Sequence, residues 1–281
     1  MPEKLPKKII YKNKIIEAIN NGENVCSIAQ RLKIDSSYLC KLLKEWKILY
    51  IKACRKGPLS TLNFFEEINT EEKAYWLGFI YADGHIRKKN YVVDIVVGAK
   101  DKNHLLKLAE LLNYFHLRYR SKTNGFCLSL CSSKIWEDLK KKTENICETF
   151  WQLSEFLKWH FIRGFFDGDG TIVYSLYHLT KSISHCRIEF TDHVPFLESL
   201  FQFFQEKGYH PVLKKDKNVK TETFRRLQLQ KRHEIFDCYQ NFYSNANIYL
   251  ERKKEKFDWV IQKLLGGEEK CLVLWTRACV R

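Results

Sequence analysis

WLGFIYADG at residues 76–84 and IRGFFDGDG at residues 162–170 are the two stretches on which the fold turns. Each is an apolar, helix-compatible run that closes on Asp-Gly, at Asp83-Gly84 and Asp169-Gly170. Thr70 and Ser154 stand where they can cap these helices, and Glu71, Glu72 and Glu155 fall in the positively polarised first turns. Gly78 with Ala82, and Gly164 with Gly168, are four residues apart and so share a helix face. Gly inside a helix costs about 1 kcal/mol relative to Ala. The small faces therefore predict that the two helices pack closely, as a seam between two halves. Gly84 and Gly170 are expected in the left-handed conformation that ends many helices.

The sequence repeats outward from these stretches. HIRKKNYVVDIVVGAKD after the first parallels TIVYSLYHLTKSISHCRIEFTDH after the second, two strand-like runs in each case. KNHLLKLAELLNYF parallels VPFLESLFQFFQEKG, an amphipathic helix. HLRYRSKTNGFCLSLCSSKIWEDL then parallels YHPVLKKDKNVKTETFRRLQLQKRHEIFDCY, two further strands and a helix. The expected architecture is α+β, with two pseudo-symmetric αββαββα halves at about 71–142 and 154–265. An offset of 86 residues between Asp83 and Asp169 is too long for a solenoid array.

Residues 1–56 read as a separate all-α unit. Val25, Ile28, Ala29 and Leu32 mark one short helix, and Leu39, Leu42, Leu43 and Trp46 mark a second, capped by Asp35 or Ser36. Two short helices joined by a tight turn form a helix-turn-helix pattern, with Lys33 where the turn usually holds Gly. Its second helix would enter a major groove and present Ser36, Ser37, Tyr38 and Lys41. Residues 57–70 form a linker, broken by Gly57 and Pro58. The tail 266–281, GGEEKCLVLWTRACVR, has no counterpart in the repeat.

Charge narrows the function. The 281 residues carry 48 Lys and Arg against 33 Asp and Glu, a net charge of +15. The first sixty residues hold 13 basic and 5 acidic side chains. A basic globular chain points to a polyanionic partner, nucleic acid by default. With 45% hydrophobic and 14% aromatic residues, disorder is excluded. No apolar run is long enough to span a membrane. The N-terminal stretch lacks the apolar core of a secretory signal, so a reducing intracellular compartment is expected. The ten cysteines include no CxxC pair, which argues against structural zinc and a disulfide framework. Met1 and Arg281 are not the terminal residues an intein would carry.

The paired motifs resemble those of the LAGLIDADG homing endonucleases in the single-chain, two-motif form. The resemblance covers about residues 71–265, and NANIYLERKKEKFDW (245–259) is similar to the close of the second half in that family. Some members also carry an accessory helix-turn-helix. The resemblance implies a site-specific double-strand DNA endonuclease that hydrolyses phosphodiesters with Mg2+ or another divalent cation such as Mn2+. Asp83 and Asp169 would hold the metal, with the backbone carbonyls of Ala82 and Gly168. Lys142 and Lys253 would stand near the scissile phosphates, with Lys141 and Lys254 as neighbouring alternatives.

A carboxylate at a helix C-terminus meets the negative end of the macrodipole, so something positive must offset it. Asp167 is not assigned to catalysis. Asp167 and Asp169 also lack the third ligand of an EF-hand loop.

The strands are where bases would be read, since a two-stranded ribbon fits the major groove. His85, Arg87 and Lys89 form one polar set and Arg118 with Arg120 another. Arg225, Gln228, Gln230 and Arg232 are further candidates, and Lys214, Lys215, Lys217 and Lys220 would meet phosphates. The expected partner is double-stranded DNA, met by a monomer. A non-cutting DNA-binding regulator and an RNA maturase acting on intron RNA are the alternatives.

Overall fold

A computed structural model of the protein describes residues 7–20, 25–46, 48, 62–88, 90–114, 117–215 and 224–265. Lys89, Lys217, Lys220, residues 57–61 of the linker and the 266–281 tail lie outside them. The chain divides into two compact units, Met1–Asn145 and Ile146–Arg281.

The first unit opens with three helices, α1 (Lys7–Asn20), α2 (Val25–Leu32) and α3 (Ser36–Glu45). Ile15, Ala18, Ile19, Val25, Ile28, Ala29, Leu39 and Leu43 form a small core among them. Asp35 is the cap of α3, accepting from the amides of Ser37 at 2.8 Å and Tyr38 at 3.1 Å. Those two amides, Tyr38 first, lower the Asp35 carboxyl below its ordinary value. Lys33 takes the left-handed conformation, φ +52°, that the turn between α2 and α3 demands.

The repeat follows as α4 (Glu71–Asp83), β1 (Gly84–Ile86), β2 (Val92–Gly98), α5 (Lys102–Leu111), β3 (Leu117–Arg120), β4 (Gly125–Cys131) and α6 (Ser133–Glu144). The second unit runs α7 (Ile146–Gln152), α8 (Glu155–Asp169), β5 (Thr171–Leu176), β6 (Ile183–His193), α9 (Val194–Glu206), β7 (Val212–Lys215), β8 (Phe224–Leu229), α10 (Arg232–Tyr243) and α11 (Glu251–Leu264). Each unit thus carries αββαββα, and the sheet orders match: β1-β2-β4-β3 and β5-β6-β8-β7, antiparallel throughout.

Alternation sorts the faces. Val93, Ile95, Leu128 and Leu130 are buried on the helix-packed side of the first sheet, as are Ile188, Phe190, Leu227 and Leu229 in the second. The helix α7 does not stand out as a separate element in the sequence pattern. It belongs to the second unit because Phe150 meets the rings of Phe161, Phe196 and Phe203 at 5.6–5.8 Å. No helix among the described residues is long and apolar enough to cross a membrane.

Candidate active site and nucleic-acid interface

The motif helices begin as their sequences require. Thr70 Oγ1 accepts from the Lys73 amide and Ser154 Oγ from the Leu157 amide, both at 3.4 Å. Residues 74–80 of α4 and 159–167 of α8 are buried, and each helix delivers its aspartate, Asp83 or Asp169, to an exposed end.

The helix ends differ from expectation. Gly84 (φ −82°, ψ 145°) and Gly170 (φ −74°, ψ 162°) are extended, not left-handed. Glycine is required there by space. A Cβ on Gly84 would strike the Ile80 carbonyl and come within 2.6 Å of Ile80 Cγ2; one on Gly170 would lie 2.7 Å from both the carbonyl oxygen and Cα of Phe166. The chain folds directly from helix into strand over its own last turn, which fixes each aspartate relative to its sheet.

In the second unit Lys253 projects from the first turn of α11 onto the end of α8. Its Nζ donates to the carbonyls of Phe166 at 2.6 Å, Gly168 at 3.0 Å and Gly170 at 2.6 Å. These include carbonyls that a helix C-terminus leaves without intrahelical partners, and the ammonium offsets the negative helix end beside Asp169. Lys254 instead pairs with Asp258 at 2.8 Å. Lys142 is placed differently in its own unit. It donates to the Glu66 carbonyl at 2.9 Å, on the segment that leads into α4, not in its C-terminal turn. Burial lowers the Lys142 ammonium below the ordinary lysine value.

Asp167, two residues before Asp169, is fully buried. It accepts from the Tyr243 hydroxyl at 3.0 Å and the Leu250 amide at 2.8 Å. Burial, with the Asp167 charge second, pushes the Tyr243 phenol well up. Arg163, also fully buried, donates to the Phe242 carbonyl at 3.0 Å. Asp167 therefore ties α8 to the start of α11, the helix that carries Lys253. Its charge also faces the favourable end of that helix.

The donors suit a hard divalent cation. Each motif end has a carboxylate and, one residue before it, a backbone carbonyl, that of Gly168 already accepting from Lys253 at 3.0 Å, and Mg2+ commonly takes few protein ligands and completes its octahedron with water and phosphate oxygens. Among the described residues no group of three or more His, Cys, Asp or Glu converges. Protein donors alone would not complete such a shell in either unit.

On the face of each sheet away from the helices, polar and charged residues stand among Val92, Val96 and Cys127 in the first and Val173 in the second. In the first, His85 lies opposite Asp94, Asp94 opposite Ser129, and Arg118 and Arg120 line the edge strand β3. The two arginine sets read separately from the sequence thus share one face. In the second, Glu189 lies opposite Thr171 and Gln228, with Arg187, Arg226 and Lys214 on the same side.

Arg225 pairs with Asp192 and Lys215, in register with Leu227 and Leu229, so it belongs to the helix-packed side; Arg226 takes its place. Gln228 is buried, and its amide donates to Glu189 at 2.5 Å. Arg232 is the first residue of α10 rather than part of a strand, and Gln230 lies between the two and donates to Gln228. Sequence reasoning misses Asp94 and Glu189; an acid in an otherwise apolar strand run is the available signal. In the N-terminal helices Ser37, Tyr38 and Lys41 are exposed and Ser36 half-exposed.

No protein-family model and no curated protein matches the chain. Solved structures do. Meganuclease I-SmaMI bound to uncleaveable DNA with a TTGT central four aligns over 69% of this chain and 89% of that one, at 15% identity and a TM-score of 0.50. The I-LtrWI LAGLIDADG homing endonuclease bound to target DNA aligns over 75% and 95%, at 12% identity and a TM-score of 0.48. The αββαββα repeat and the first of these matches define the class: the chain has the LAGLIDADG meganuclease fold.

Proposed function

We propose that the protein is a site-specific double-strand DNA endonuclease that hydrolyses phosphodiesters with a divalent metal. The observation that carries this reading is the duplicated motif end. Two halves of one topology each finish their motif helix on an exposed aspartate, in a chain of net charge +15. The I-SmaMI structure, of the same fold, is itself bound to DNA.

Asp83 with the Ala82 carbonyl, and Asp169 with the Gly168 carbonyl, would hold the metal. A bound divalent cation would supply an activated water and stabilise the charge on the leaving oxygen. Lys253 stabilises the end of α8 and puts a positive charge beside the phosphate-facing end of that helix. Lys142, buried enough to weaken its hold on a proton, is the candidate in the first half. The strand faces bearing His85, Arg87, Arg118, Arg120, Arg187 and Arg226 would lie on the DNA. Ser37, Tyr38 and Lys41 of α3 would add a major-groove contact outside the core site. One chain carries both halves and acts as a monomer.

The test is cleavage of a duplex library randomised over the candidate site, with magnesium and with EDTA. The parent should cut a defined subset only with the metal. Asp83→Asn and Asp169→Asn should lower double-strand cutting by orders of magnitude while binding persists, because the affinity rests on basic side chains. Metal-dependent cutting by both variants at the parental rate would sink the reading. Binding without any cutting by the parent would favour a regulator, and preference for structured intron RNA a maturase.

A further inference from the structure

Each sheet carries a buried acid among the arginines of the face away from the helices. Asp94 is 2% exposed and Glu189 5%. They occupy equivalent places in the two halves: Asp94 lies opposite His85, two residues past Asp83, and Glu189 lies opposite Thr171, two residues past Asp169. Each holds arginines. Arg87 donates to Asp94 Oδ2 through Nε at 2.7 Å and through Nη2, and Arg120 Nη2 approaches the same oxygen at 3.5 Å. Ser129 donates to Asp94 Oδ1 at 2.5 Å and takes a hydrogen bond from Arg118 at 2.8 Å. Arg187 Nε donates to Glu189 Oε1 at 2.6 Å, and Arg226 Nη1 lies 3.8 Å from Oε2.

The two halves build this with the arginine on opposite strands. Arg87 follows β1 and bonds Val92 of β2, whereas Arg187 of β6 faces Val173 of β5. The same acid-and-arginine arrangement is thus assembled from different residues. It is not a simple copy of one half in the other.

An acid on a phosphate-facing surface weakens affinity, because it cancels positive charge. It also restrains the arginines. A mobile arginine carries about 2 kcal/mol of rotamer entropy, and a side chain already held in its bound pose loses less on binding. The arginines remain reachable: Arg87 and Arg120 are 40% and 41% exposed, Arg187 and Arg226 25% and 29%.

Resting on the DNA-binding reading above, we infer that Asp94 and Glu189 are positioning residues for base recognition, each fixing the arginines of its own sheet in the pose that meets base edges. Bidentate arginine contacts to guanine need that fixed geometry, whereas phosphate contacts do not. The acids therefore serve discrimination between sequences at some expense of affinity.

The experiment is selection from a randomised duplex DNA pool, in EDTA so that nothing is cut, with the full chain and with Asp94→Asn and Glu189→Gln. The parent should enrich a sharp motif. Each variant should bind the unselected pool at least as well as the parent, yet lose about tenfold discrimination per affected base pair. The positions flattened by Asp94→Asn should differ from those flattened by Glu189→Gln, because each acid holds only the arginines of its own sheet. A purely structural role would lower pool affinity and melting temperature together and leave no such division. Variants that enrich the parental motif with undiminished sharpness overturn the inference alone. A parent that enriches no sequence overturns the DNA-recognition reading, and this inference with it. Independently of whether the variants fold, 15N relaxation of arginine side chains in the parent should show Arg87 and Arg187 Nε rigid. Nε mobility equal to that of an exposed helix arginine such as Arg232 would also overturn it.

Discussion

Replacing Asp167 by Ala and Asp169 by Asn should separate two aspartates that sit two residues apart on one helix. Asp167 is fully buried and accepts two hydrogen bonds, from Tyr243 and from the Leu250 amide. Hydrogen bonds to a charged group contribute about 1.5–3 kcal/mol each. Truncation leaves the tyrosine hydroxyl and a backbone amide buried without an acceptor, so Asp167→Ala should cost roughly 3–5 kcal/mol. At roughly 2–4 °C per kcal/mol for a unit of this size, the melting transition should fall by about 10 °C.

Asp169→Asn keeps the size of an exposed side chain at the end of α8, so its melting transition should shift far less than that of Asp167→Ala. Differential scanning calorimetry with circular dichroism measures both. Cleavage should show the converse pattern. Asp169→Asn should be inactive although folded, and Asp167→Ala should keep activity below its own transition, reduced to the extent that α11 and Lys253 are displaced. Asp167→Ala unfolding within 1 kcal/mol of the parent would refute the assignment of Asp167 as the tie between α8 and α11. A stability loss in Asp169→Asn as large as that in Asp167→Ala would refute the division between the two aspartates.

Gly170→Ala should destabilise the second unit by about 1–3 kcal/mol, because the added carbon meets both the buried ring and the backbone of Phe166; urea unfolding measures this, and a neutral result would mean the turn relaxes freely. Lys33→Gly should stabilise the N-terminal helices by about 0.5–1 kcal/mol by relieving a left-handed lysine, seen as a higher urea midpoint; a lower midpoint would contradict that backbone conformation. Burial would raise the Asp94 carboxyl, but the Ser129 hydroxyl and Arg87 outweigh it and hold it below the ordinary aspartate value. A carboxyl lowered by folding stabilises the fold above its unfolded value, and that stability is lost as pH falls through the folded one. Urea midpoints should therefore drop below about pH 4, and less steeply in Asp94→Asn; an identical acid profile in the variant would count against the ion pair.

Local rules make much of this protein legible in its sequence. Helical apolar runs, Thr70 and Ser154 as caps and the twofold recurrence of Asp-Gly define elements through neighbours a few residues away, and those elements lie where the sequence places them. The matching order of elements within each half follows from the repeat. What the sequence could not decide depends on groups far apart along the chain or on overlap in three dimensions. The reason for Gly84 and Gly170 is steric overlap with the preceding turn, which has no signature beyond glycine itself.

The face on which a strand residue lies depends on register, and a one-residue difference moves Arg225 to the helix-packed side and Arg226 to the polar one. Asp167 and Asp169 are both simply aspartates in FFDGDG; only the approach of Tyr243 and Leu250, 76 and 83 residues away, makes one structural and leaves the other exposed. Lys253 reaches α8 across a similar separation. Short-range periodicity is written in every sequence window. The environment of a charge is set by what the chain brings back to it, and only the tertiary structure contains that.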